Sequence, residues 1–484
     1  MKNLEYNTFE IKTLLDTQAS QEKLIIQGHI PNWLHGSFVR NGPVSVKINE
    51  QKMPHWFDGP AMLHAFYFQD GTVTYTNKFL KTDALNAILT QGNFNYFGFA
   101  SLPKHPLWNK VKEFFSFNKN SIIQNANVNV ADVAHHTVAL TETPLPVRFD
   151  VKTLDTLGPL NFQDKLPKEN IFESAHPQLD PKTGEQFNYL VEYGSKSKYV
   201  IYRYNAEYPK REVLNEVFVQ KPSYMHSFAI TEHYIILVEF PFIVNPIDLL
   251  FMTKPFIKNF YWNPDQGTNF LVIDRITGKL VVSLKDRKPF FAFHHVNAYG
   301  ENDNIILDII TYPNANIISD ISGHGYLSGP QGNKDENLHE SKLMRYSLSL
   351  KDSTIQSKVL SDTSFELPRI NEQYNARAYR YVYGSDLRPL KEPTDLRPIY
   401  KIDTQTLQTF SWSEPGLLPG EPVFIPNPKA NAEDEGIIVT LVLDAVKQSA
   451  FLLMLDGTTF KEIGRAYTPF PIQVGLHGKF FSKL

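Results

Sequence analysis

Proline and glycine are spread evenly along this chain and divide it into many short apolar or alternating runs. The 484 residues include 32 prolines and 25 glycines, and between them lie runs such as NYLVEYG, KYVIYRY, YIILVEF and GIIVTLVLD. Short runs that are rich in β-branched and aromatic residues and bounded by turn-forming residues are typical of strands. The pattern therefore predicts an all-β protein.

Several neighbouring runs are joined by hairpin-like turns. The segments DGTVTY, DRITGKLVV and LDGTTFKEI each place a turn between two strand-like runs, and Asp-Gly is the stronger turn signal. Such strand pairs recur through most of the chain without a Gly-Ser linker, which favours a single domain over residues 1–484. A propeller of seven four-stranded blades fits this length at about 69 residues per blade. We find no sequence repeat that marks the blades.

Helical signal in the sequence is confined to a few pieces, which we interpret as insertions that cap the β scaffold. The first insertion covers about 82–118. Within it, TDALNAILT at 82–90 begins with a capping Thr-Asp pair, and LWNKVKEFFSF at 107–117 carries apolar residues at helical spacing. We expect these pieces to form a small helical cap.

A second cap insertion covers about 240–262 and is unusually apolar. Pro241, Pro246 and Pro255 are expected to break any helix there. A loop that covers the core and an apolar patch that contacts a membrane interface both explain this composition. The sequence contains no run of eighteen uncharged apolar residues, so we expect no helix to span a bilayer and only peripheral membrane contact through this insertion.

Charge and cysteine content narrow the classes of partner. Lys plus Arg is 48 and Asp plus Glu is 51, a net charge of −3, so the sequence shows no basic footprint for nucleic acid. The absence of cysteine excludes disulfides and thiolate ligands, so any metal must bind histidine or carboxylate. The N-terminus, MKNLEYNTFEIKTLLD, lacks the apolar core of a signal peptide, and we expect a cytoplasmic location.

The stretch 288–310, KPFFAFHHVNAYGENDNIILDII, contains two adjacent histidines. Aromatic and β-branched residues at both ends predict two strands joined by the polar NAYGENDN turn, with His294 and His295 near the end of the first strand. Neighbouring side chains of a strand point to opposite faces, so at most one of the two can face a given site. For either residue taken alone, a hydrogen-bonded core histidine is the more common explanation.

Four histidines, including His294, stand in distinctive local sequence contexts. They are His176 in AHPQLD, His226 in MHSFAIT, His294 in FHHVNAY and His477 in VGLHGKF. These motifs match one family in order and spacing, together with FVRNGP at 38–43, HWFDGPAMLHAF at 55–66, FELPRIN at 365–371 and GEPVF at 420–424. From about Leu24 to the C-terminus, the chain resembles the carotenoid cleavage oxygenases, which include apocarotenoid oxygenases, stilbene-cleaving enzymes and the vertebrate retinoid isomerase of the pigment epithelium.

This resemblance implies a seven-bladed β-propeller with a small helical and loop cap over one Fe(II) per chain. The positions that match the family's iron ligands, and hence its catalytic centre, are His176, His226, His294 and His477. The positions that match its supporting glutamates are Glu142, Glu366 and Glu421. The family's ligand directly follows Phe in the FHH motif, which gives His295 a structural role. We also expect structural roles for His55 and His64, with Asp58 and Gly59 forming a turn that fixes a blade.

The chemistry of the implied centre suits this residue set. Four neutral imidazoles leave the +2 charge of iron uncompensated and two octahedral positions open, so that O2 can bind beside an alkene. Each imidazole presents one nitrogen to the metal only if a partner holds the proton on the other nitrogen. In the family the glutamates have that role.

The leading interpretation is a non-haem Fe(II) dioxygenase that cleaves a double bond of a carotenoid or apocarotenoid with O2, with retinal among the products. A stilbene- or phenylpropenoid-cleaving dioxygenase and a retinoid isomerase stay open, because the same scaffold serves them. The segments 124–130 and 225–241 look closer to the animal-type branch that handles carotenoids and retinoids. A non-enzymatic propeller that binds lipid is the remaining alternative, and the complete set of four histidines argues against it.

Overall fold

Strands dominate the chain and form a propeller of seven sheets, each with at least four strands. The computed structural model describes residues 9–16, 18–48, 51–102, 123–168, 171–205, 207–251, 253–321, 340–388, 392–473 and 475–482. We number the sheets as blades 1 to 7. The predicted all-β class and the predicted seven-bladed propeller are both confirmed.

Blades 1 to 3 take up most of the N-terminal half of the chain. Blade 1 contains Glu22–Lys23, Gly36–Pro43, Ala61–Gln69, Thr72–Phe79 and Gly478–Phe481. Blade 2 contains Asn129–Val133, His136–Thr141, Thr143–Phe149 and Thr156–Pro159. Blade 3 contains Ile171–Glu173, Gln178–Leu179, Gln186–Glu192, Ser197–Tyr204 and Arg211–Val219.

Blades 4 to 7 follow in chain order. Blade 4 contains Ala229–Ile230, Tyr234–Glu239, Thr268–Asp274 and Leu280–Asp286. Blade 5 contains His295–Glu301, Asn304–Thr311, Lys342–Ser349 and Thr354–Ser361. Blade 6 contains Glu366–Arg369, Tyr381–Ser385, Ile399–Asp403 and Thr409–Trp412. Blade 7 contains Ile25–Gly28, Leu417–Pro419, Val423–Pro426, Gly436–Asp444, Ser449–Asp456 and Glu462–Tyr467.

Both ends of the chain are built into the closure of the ring. Gly478–Phe481 pairs antiparallel with Gly36–Pro43 in blade 1, and Ile25–Gly28 pairs antiparallel with Glu462–Tyr467 in blade 7. Opening the ring would therefore break two ladders of backbone hydrogen bonds. The closing strand of blade 1 is also its innermost strand, so the C-terminal residues that precede it reach the propeller axis.

The three hairpins predicted from turn residues are present. In the first, Ala61–Gln69 and Thr72–Phe79 pair across Asp70 and Gly71, whose φ angles are 49° and 71°. Two consecutive left-handed residues match the twist of the flanking strands, which is why Asp-Gly favours this turn. The other two hairpins pair Thr268–Asp274 with Leu280–Asp286 and Ser449–Asp456 with Glu462–Tyr467.

A few short helices and small sheets lie outside the blades. The helix predicted from TDALNAILT spans Asp83–Gln91: Thr82 accepts a hydrogen bond from the Leu85 N–H, and Gly92 ends the helix in the left-handed conformation. The other described helices are Ile11–Asp16, Pro246–Phe251 and Ile317–Asp320, with 3-10 turns at Trp56–Asp58, Phe256–Asn259, Pro264–Gln266 and Glu372–Tyr374. One small sheet contains Phe9–Glu10, Val46–Ile48 and Gln51–Lys52. A second small sheet contains Phe242–Val244 and Phe260–Trp262. The helix predicted at 107–117 lies outside the described residues.

The second cap insertion contains regular structure. The expectation that its prolines break any helix is wrong at Pro246, where the helix Pro246–Phe251 begins. Proline is tolerated in a first helical turn because the N–H of that position has no helical partner. Most of the described apolar side chains here are buried, namely Phe240, Phe242, Ile243, Val244, Phe256, Ile257 and Phe260, while Ile247 is 54% exposed. Covering the core thus explains most of this apolar composition. In the described part of the chain, no helix is long and apolar enough to cross a membrane.

The strand boundaries around the adjacent histidines differ from the prediction. The first strand is His295–Glu301 and the second is Asn304–Thr311, so the histidine pair opens the first strand instead of ending it. Most of the predicted turn belongs to the strand, because Asn302 and Asp303, with φ angles of 48° and 64°, are sufficient to reverse the chain. His294 therefore lies at the end of the blade from which the inner strand starts.

His55 and His64 occupy structural positions in the HWFDG motif and the strand that follows it. His55 Nε2 lies 2.9 Å from the Ile318 carbonyl oxygen, and His55 Nδ1 accepts a hydrogen bond from the Phe57 N–H. His64 Nδ1 lies 2.7 Å from the Tyr75 hydroxyl. Burial lowers the pKa of His55 to about 4 and the pKa of His64 to about 3. Both rings are therefore neutral at pH 7.

We expect His64→Leu to weaken the acid sensitivity of the fold. Below its ordinary pKa of 6.5 the unfolded His64 binds a proton, whereas the folded residue stays neutral to about pH 3, so acid favours the unfolded chain. Between pH 6.5 and about pH 4.5 one such group removes about 2 kcal/mol from the free energy of unfolding. Urea unfolding at the two pH values measures this loss. An equal loss in wild type and variant would contradict the assignment.

Candidate metal centre

Four histidines from four blades bring their ring nitrogens together at the propeller axis. They are His477 of blade 1, His176 of blade 3, His226 of blade 4 and His294 of blade 5. One nitrogen from each ring lies within 4.8 Å of the corresponding nitrogens of the others. The Nε2 atoms of His176 and His226 are 2.9 Å apart, and those of His294 and His477 are 3.3 Å apart. The structure thus brings together all four histidines predicted as ligands.

Each of these histidines precedes an innermost strand of its blade, which explains the convergence. His176 stands before Gln178–Leu179, His226 before Ala229–Ile230, His294 before His295–Glu301 and His477 before Gly478–Phe481. The inner strands of neighbouring blades contact one another around the axis. Because these strands start at the same end of the propeller, the residues that precede them meet at one point.

Three buried glutamates form hydrogen bonds with the histidine nitrogens that point away from the centre. His226 Nδ1 lies 2.5 Å from Glu142 Oε1, and His294 Nδ1 lies 2.6 Å from Glu366 Oε2. His477 Nδ1 lies 2.8 Å from Glu421 Oε1. A carboxylate that accepts the Nδ1 proton leaves the lone pair of Nε2 directed at the centre. The three glutamates predicted from the sequence are therefore in position to fix the tautomer and the orientation of these rings.

The glutamates come from the three blades that supply no histidine. Glu142 lies between two strands of blade 2, Glu366 opens the inner strand of blade 6, and Glu421 lies between the two innermost strands of blade 7. Every blade therefore contributes one residue, either a histidine or a glutamate. Each glutamate therefore contacts a histidine that comes from a different blade.

The glutamates are themselves held by hydrogen bonds. The Tyr224 hydroxyl donates to both oxygens of Glu142, at 2.8 and 3.0 Å. The backbone N–H of Leu367 donates to Glu366 Oε2 at 2.6 Å, and the backbone N–H of Gly478 donates to Glu421 Oε2 at 2.8 Å. Burial raises the pKa of Glu421, and the Arg369 guanidinium, 3.6 Å from Oε1, opposes that rise.

His176 is positioned by its backbone. Its N–H donates to Ser174 Oγ at 3.2 Å, and the Ser174 hydroxyl donates to the His226 carbonyl oxygen at 2.8 Å. Burial and the neighbouring imidazoles lower the pKa of His176 and of His477 well below the usual range. Both rings therefore stay neutral, with a lone pair available to a cation.

The arrangement of nitrogens fits a bound metal ion. His294 and His477 each direct Nδ1 at a carboxylate, so both Nε2 atoms carry lone pairs, and these atoms face each other at 3.3 Å. Two such lone pairs repel unless a cation lies between them. Neutral imidazoles without thiolate or carboxylate ligands suit a divalent transition metal.

His295 lies outside this cluster. Its Nδ1 is 2.9 Å from Ser227 Oγ, and its backbone N–H donates to the same oxygen at 3.0 Å. Burial lowers the pKa of His295 to about 3. The structure therefore places His294 at the centre and leaves its neighbour hydrogen-bonded to Ser227 outside the four-histidine cluster.

Three residues that the sequence analysis left without a role support the centre. Tyr224 fixes Glu142, and Arg369 neutralises Glu421. The fully buried Arg40 donates to the backbone oxygens of Glu421 and Leu476, at 3.2 and 2.8 Å. Arg40 belongs to the motif FVRNGP and Arg369 to the motif FELPRIN, so the motif match could have identified both residues. Tyr224 is marked only by its place two residues before His226.

A seven-bladed propeller with four axial histidines and three supporting glutamates defines a class of propeller metalloproteins with a non-haem centre. The chain belongs to the family described as retinal pigment epithelial membrane protein, which matches residues 13–482. The resemblance proposed from the motifs is thereby confirmed.

Individual relatives cover nearly the whole chain. It is 31% identical over 515 residues to beta,beta-carotene 15,15'-dioxygenase of Gallus gallus, covering 95% of each chain. It is 30% identical over 497 residues to carotenoid cleavage dioxygenase 8, chloroplastic, of Arabidopsis thaliana, covering 96% of this chain and 85% of the relative. Cobalt-substituted Synechocystis apocarotenoid oxygenase has a similar structure, with a TM-score of 0.80, 26% identity, and coverage of 98% of this chain and 99% of that one.

Proposed function

We propose that this protein is a non-haem Fe(II) dioxygenase that cleaves a double bond of a carotenoid or apocarotenoid with O2 to give two carbonyl products, retinal among them. The observation that carries the proposal is the convergence of four histidine rings, three of them oriented by buried glutamates. The names of the relatives, a beta,beta-carotene dioxygenase and a carotenoid cleavage dioxygenase, support the same reaction class.

The residues that would hold one iron per chain are His176, His226, His294 and His477. Iron bound there supplies open coordination positions at which O2 can be activated beside an alkene. The chain's own contribution is to hold these histidine rings in the correct tautomer and orientation. Glu142, Glu366 and Glu421 hold the protons at Nδ1, and the absence of an acidic residue from the ligand set leaves the full charge of the ion at the centre.

Aromatic side chains surround the centre on the side of the cap. The Phe293 ring lies 5.5 Å from the His226 ring, and Tyr224, which supports Glu142, packs against Phe99 and Phe172 with ring centroids 6.3 and 5.5 Å apart. Such a wall excludes water and suits a long conjugated hydrocarbon. We propose that the polyene approaches the centre from this side.

We expect product formation to require O2. Oxidative cleavage adds two oxygen atoms to the substrate, whereas isomerisation of a retinoid ester needs none. Incubation of the iron-loaded protein with β-carotene, an apocarotenal, a retinyl ester or resveratrol, with and without O2, separates the candidates by their products. An aldehyde that forms from a carotenoid substrate only with O2 is the expected result. Anaerobic formation of a cis-retinol would assign the chain to the isomerase branch instead, and cleavage of resveratrol alone to the stilbene branch.

We also propose a cytoplasmic protein that contacts membranes peripherally through the exposed part of the 240–262 cap. Carotenoids partition into bilayers and have to be collected there. Ile247 is 54% exposed and Tyr261 is 40% exposed, and Lys221 Nζ donates to the Tyr261 hydroxyl at 3.0 Å. An apolar side chain beside a lysine suits the boundary between acyl chains and headgroups.

Ile247→Glu is expected to slow turnover of a carotenoid in liposomes several-fold and to leave turnover of a short apocarotenal in micelles unchanged. A buried charge at the acyl boundary opposes insertion, while a micellar substrate needs no contact with a bilayer. Ile276→Glu is the matched control, because Ile276 is 85% exposed in a turn of blade 4 outside the cap. Equal losses in both assays would instead indicate a folding role for Ile247.

A further inference from the structure

A polar cavity of about 170 Å³ lies against the histidine cluster along the propeller axis. Besides the histidines, its walls include Asn129, Gln178, Arg369, Glu372, Asn375 and Lys479. Gln178, Arg369 and Lys479 follow a ligand or a supporting glutamate along an inner strand. Because the inner strands start at the centre and run away from it, the cavity lies opposite Tyr224 and Phe293, which precede the ligands on the side of the cap.

One connection of blade 6 crosses the end of this cavity. The segment 371–379, named here the axial strap, joins the blade 6 strands Glu366–Arg369 and Tyr381–Ser385. Asn375 Nδ2 donates to the Leu179 carbonyl oxygen at 2.7 Å and to Gln178 Oε1 at 3.2 Å, both in blade 3. In a ring of seven blades, blades 3 and 6 are three positions apart, which is the largest separation. The contact therefore requires the strap to pass over the axis.

Ion pairs strengthen the far end of the strap. Arg377 Nη1 lies 2.9 Å from the buried Asp180 Oδ1, beyond the inner strand of blade 3, and Arg377 Nη2 lies 3.6 Å from Glu232 Oε1 in blade 4. The Arg377 side chain is 23% exposed, so these pairs are partly shielded from water. The strap is therefore tied by charge to the side of the ring opposite its own blade.

Asn297 of blade 5 holds the middle of the strap. Its Nδ2 donates to the backbone oxygens of Tyr374 and Arg377, at 3.0 and 2.9 Å, and its Oδ1 accepts from the Ala376 N–H at 2.9 Å. Ala376 has a φ of 68°, a conformation that non-glycine residues rarely adopt and that surrounding contacts must maintain. Asn297, the asparagine of the NAYG motif, takes no part in the metal centre. It holds the strap in position instead.

The two sides of the metal centre differ in polarity. The cap side is lined by aromatic rings, and moving a hydrated divalent cation through such a wall requires removal of its water. The cavity side carries amides and charges that offset one another: Arg369 pairs with Glu372 at 2.6 Å, and Lys479 lies 3.6 Å from Asp132. A nearly neutral polar cavity can hold water around a passing ion.

We propose that the metal ion enters and leaves the centre through the axial cavity, and that the axial strap closes this route. The inference rests on the proposed function only in requiring a metal ion at the four histidines. Displacing the strap breaks its contacts to blades 3, 4 and 5 but leaves the inner strands and the histidines in place. The strap should therefore set the rate of metal exchange and not the affinity.

The double variant Asn375→Ala, Arg377→Ala tests the strap. Loss of these contacts to blades 3 and 4 is expected to raise the rates of Fe(II) release and of reloading together by roughly 10-fold, since each hydrogen bond and ion pair contributes to keeping the strap closed. The equilibrium affinity should stay near the wild-type value. Anaerobic release from the loaded protein to a coloured chelator, reloading with Fe(II) alone, and thermal unfolding provide the three readouts.

Arg380→Ala is the matched control, because Arg380 directly follows the strap but pairs with Asp403 of its own blade, at 2.7 Å. It should exchange metal at the wild-type rate. Gln178→Lys adds a positive charge to the cavity wall and should slow loading. Wild-type exchange rates in the double variant, or faster release with a matching loss of affinity, would overturn the proposal, as would unchanged loading in Gln178→Lys. Wild-type protein that binds no ion would overturn the proposed function as well.

Discussion

Alanine at any one of His176, His226, His294 and His477 is expected to reduce bound iron from about one ion per chain to nearly none and to abolish O2-dependent cleavage. Three imidazoles form a weaker and more labile site than four. For His226, His294 and His477 the substitution also removes one hydrogen-bond donor from a buried glutamate, which costs stability. His176→Ala should therefore lose iron with the smallest change in thermal unfolding.

The control for these variants is His295→Ala. His295 is adjacent to a ligand, and its ring nitrogen contacts Ser227 Oγ, so its replacement perturbs the same strand without touching the centre. It should keep its iron and most of its activity. Metal analysis of the purified variants and product analysis under air measure both properties. Loss of iron in His295→Ala with retention in His294→Ala would reverse the ligand assignment.

Features set by local chemistry could be predicted from the sequence. The Asp-Gly hairpin requires only two residues that tolerate left-handed φ, and the helix Asp83–Gln91 requires only the cap at Thr82 and the end at Gly92. The all-β class follows from many such local signals together. The start of the helix at Pro246 was missed because proline both breaks a helix interior and fits a first turn.

The centre itself depends on contacts between residues far apart in the chain. His477 and Glu421 are 56 positions apart, and His226 and Glu142 are 84 apart. No spacing rule relates residues that seven different blades supply, so motif resemblance had to provide what local pattern could not. For the same reason, the supporting roles of Tyr224 and Arg369 could not be predicted from local pattern, since their partners belong to other blades.

The axial strap shows the same limit more strongly. Asn375 and Gln178 are 197 positions apart and lie on opposite sides of the ring, and Arg377 meets Asp180 in the same way. The strap looks like an ordinary loop in the sequence, because its function depends on which blades face each other. Only the closed ring shows that its polar side chains are anchors.

Glutamine at Glu142, Glu366 or Glu421 is expected to lower iron affinity or turnover by roughly 10–100-fold without unfolding the protein. An amide can still contact Nδ1, but it carries no charge, so it holds the imidazole proton less firmly and reduces the basicity of Nε2. Because the Glu366 carboxylate contacts only His294 Nδ1 and a backbone N–H among the hydrogen bonds described, its variant isolates this effect. Iron titration, steady-state turnover and urea unfolding measure the three quantities.

Glu421→Gln should have the largest effect of the three, because its carboxylate also lies beside the partly buried Arg369 guanidinium. It accepts from the Gly478 N–H, lies 2.8 Å from His477 Nδ1 and is 3.6 Å from Arg369, which glutamine would leave with less countercharge. We expect this variant alone to lower the free energy of unfolding by roughly 1–3 kcal/mol in addition to its loss of iron. Arg369→Gln in the same background should restore part of that stability, since it removes a cation that would keep only Glu372 as its ion-pair partner, while leaving iron affinity low. Unchanged iron content and turnover in all three glutamine variants would refute the account of how the carboxylates orient the rings. Equal stability losses at Glu366 and Glu421 would refute the part assigned to Arg369.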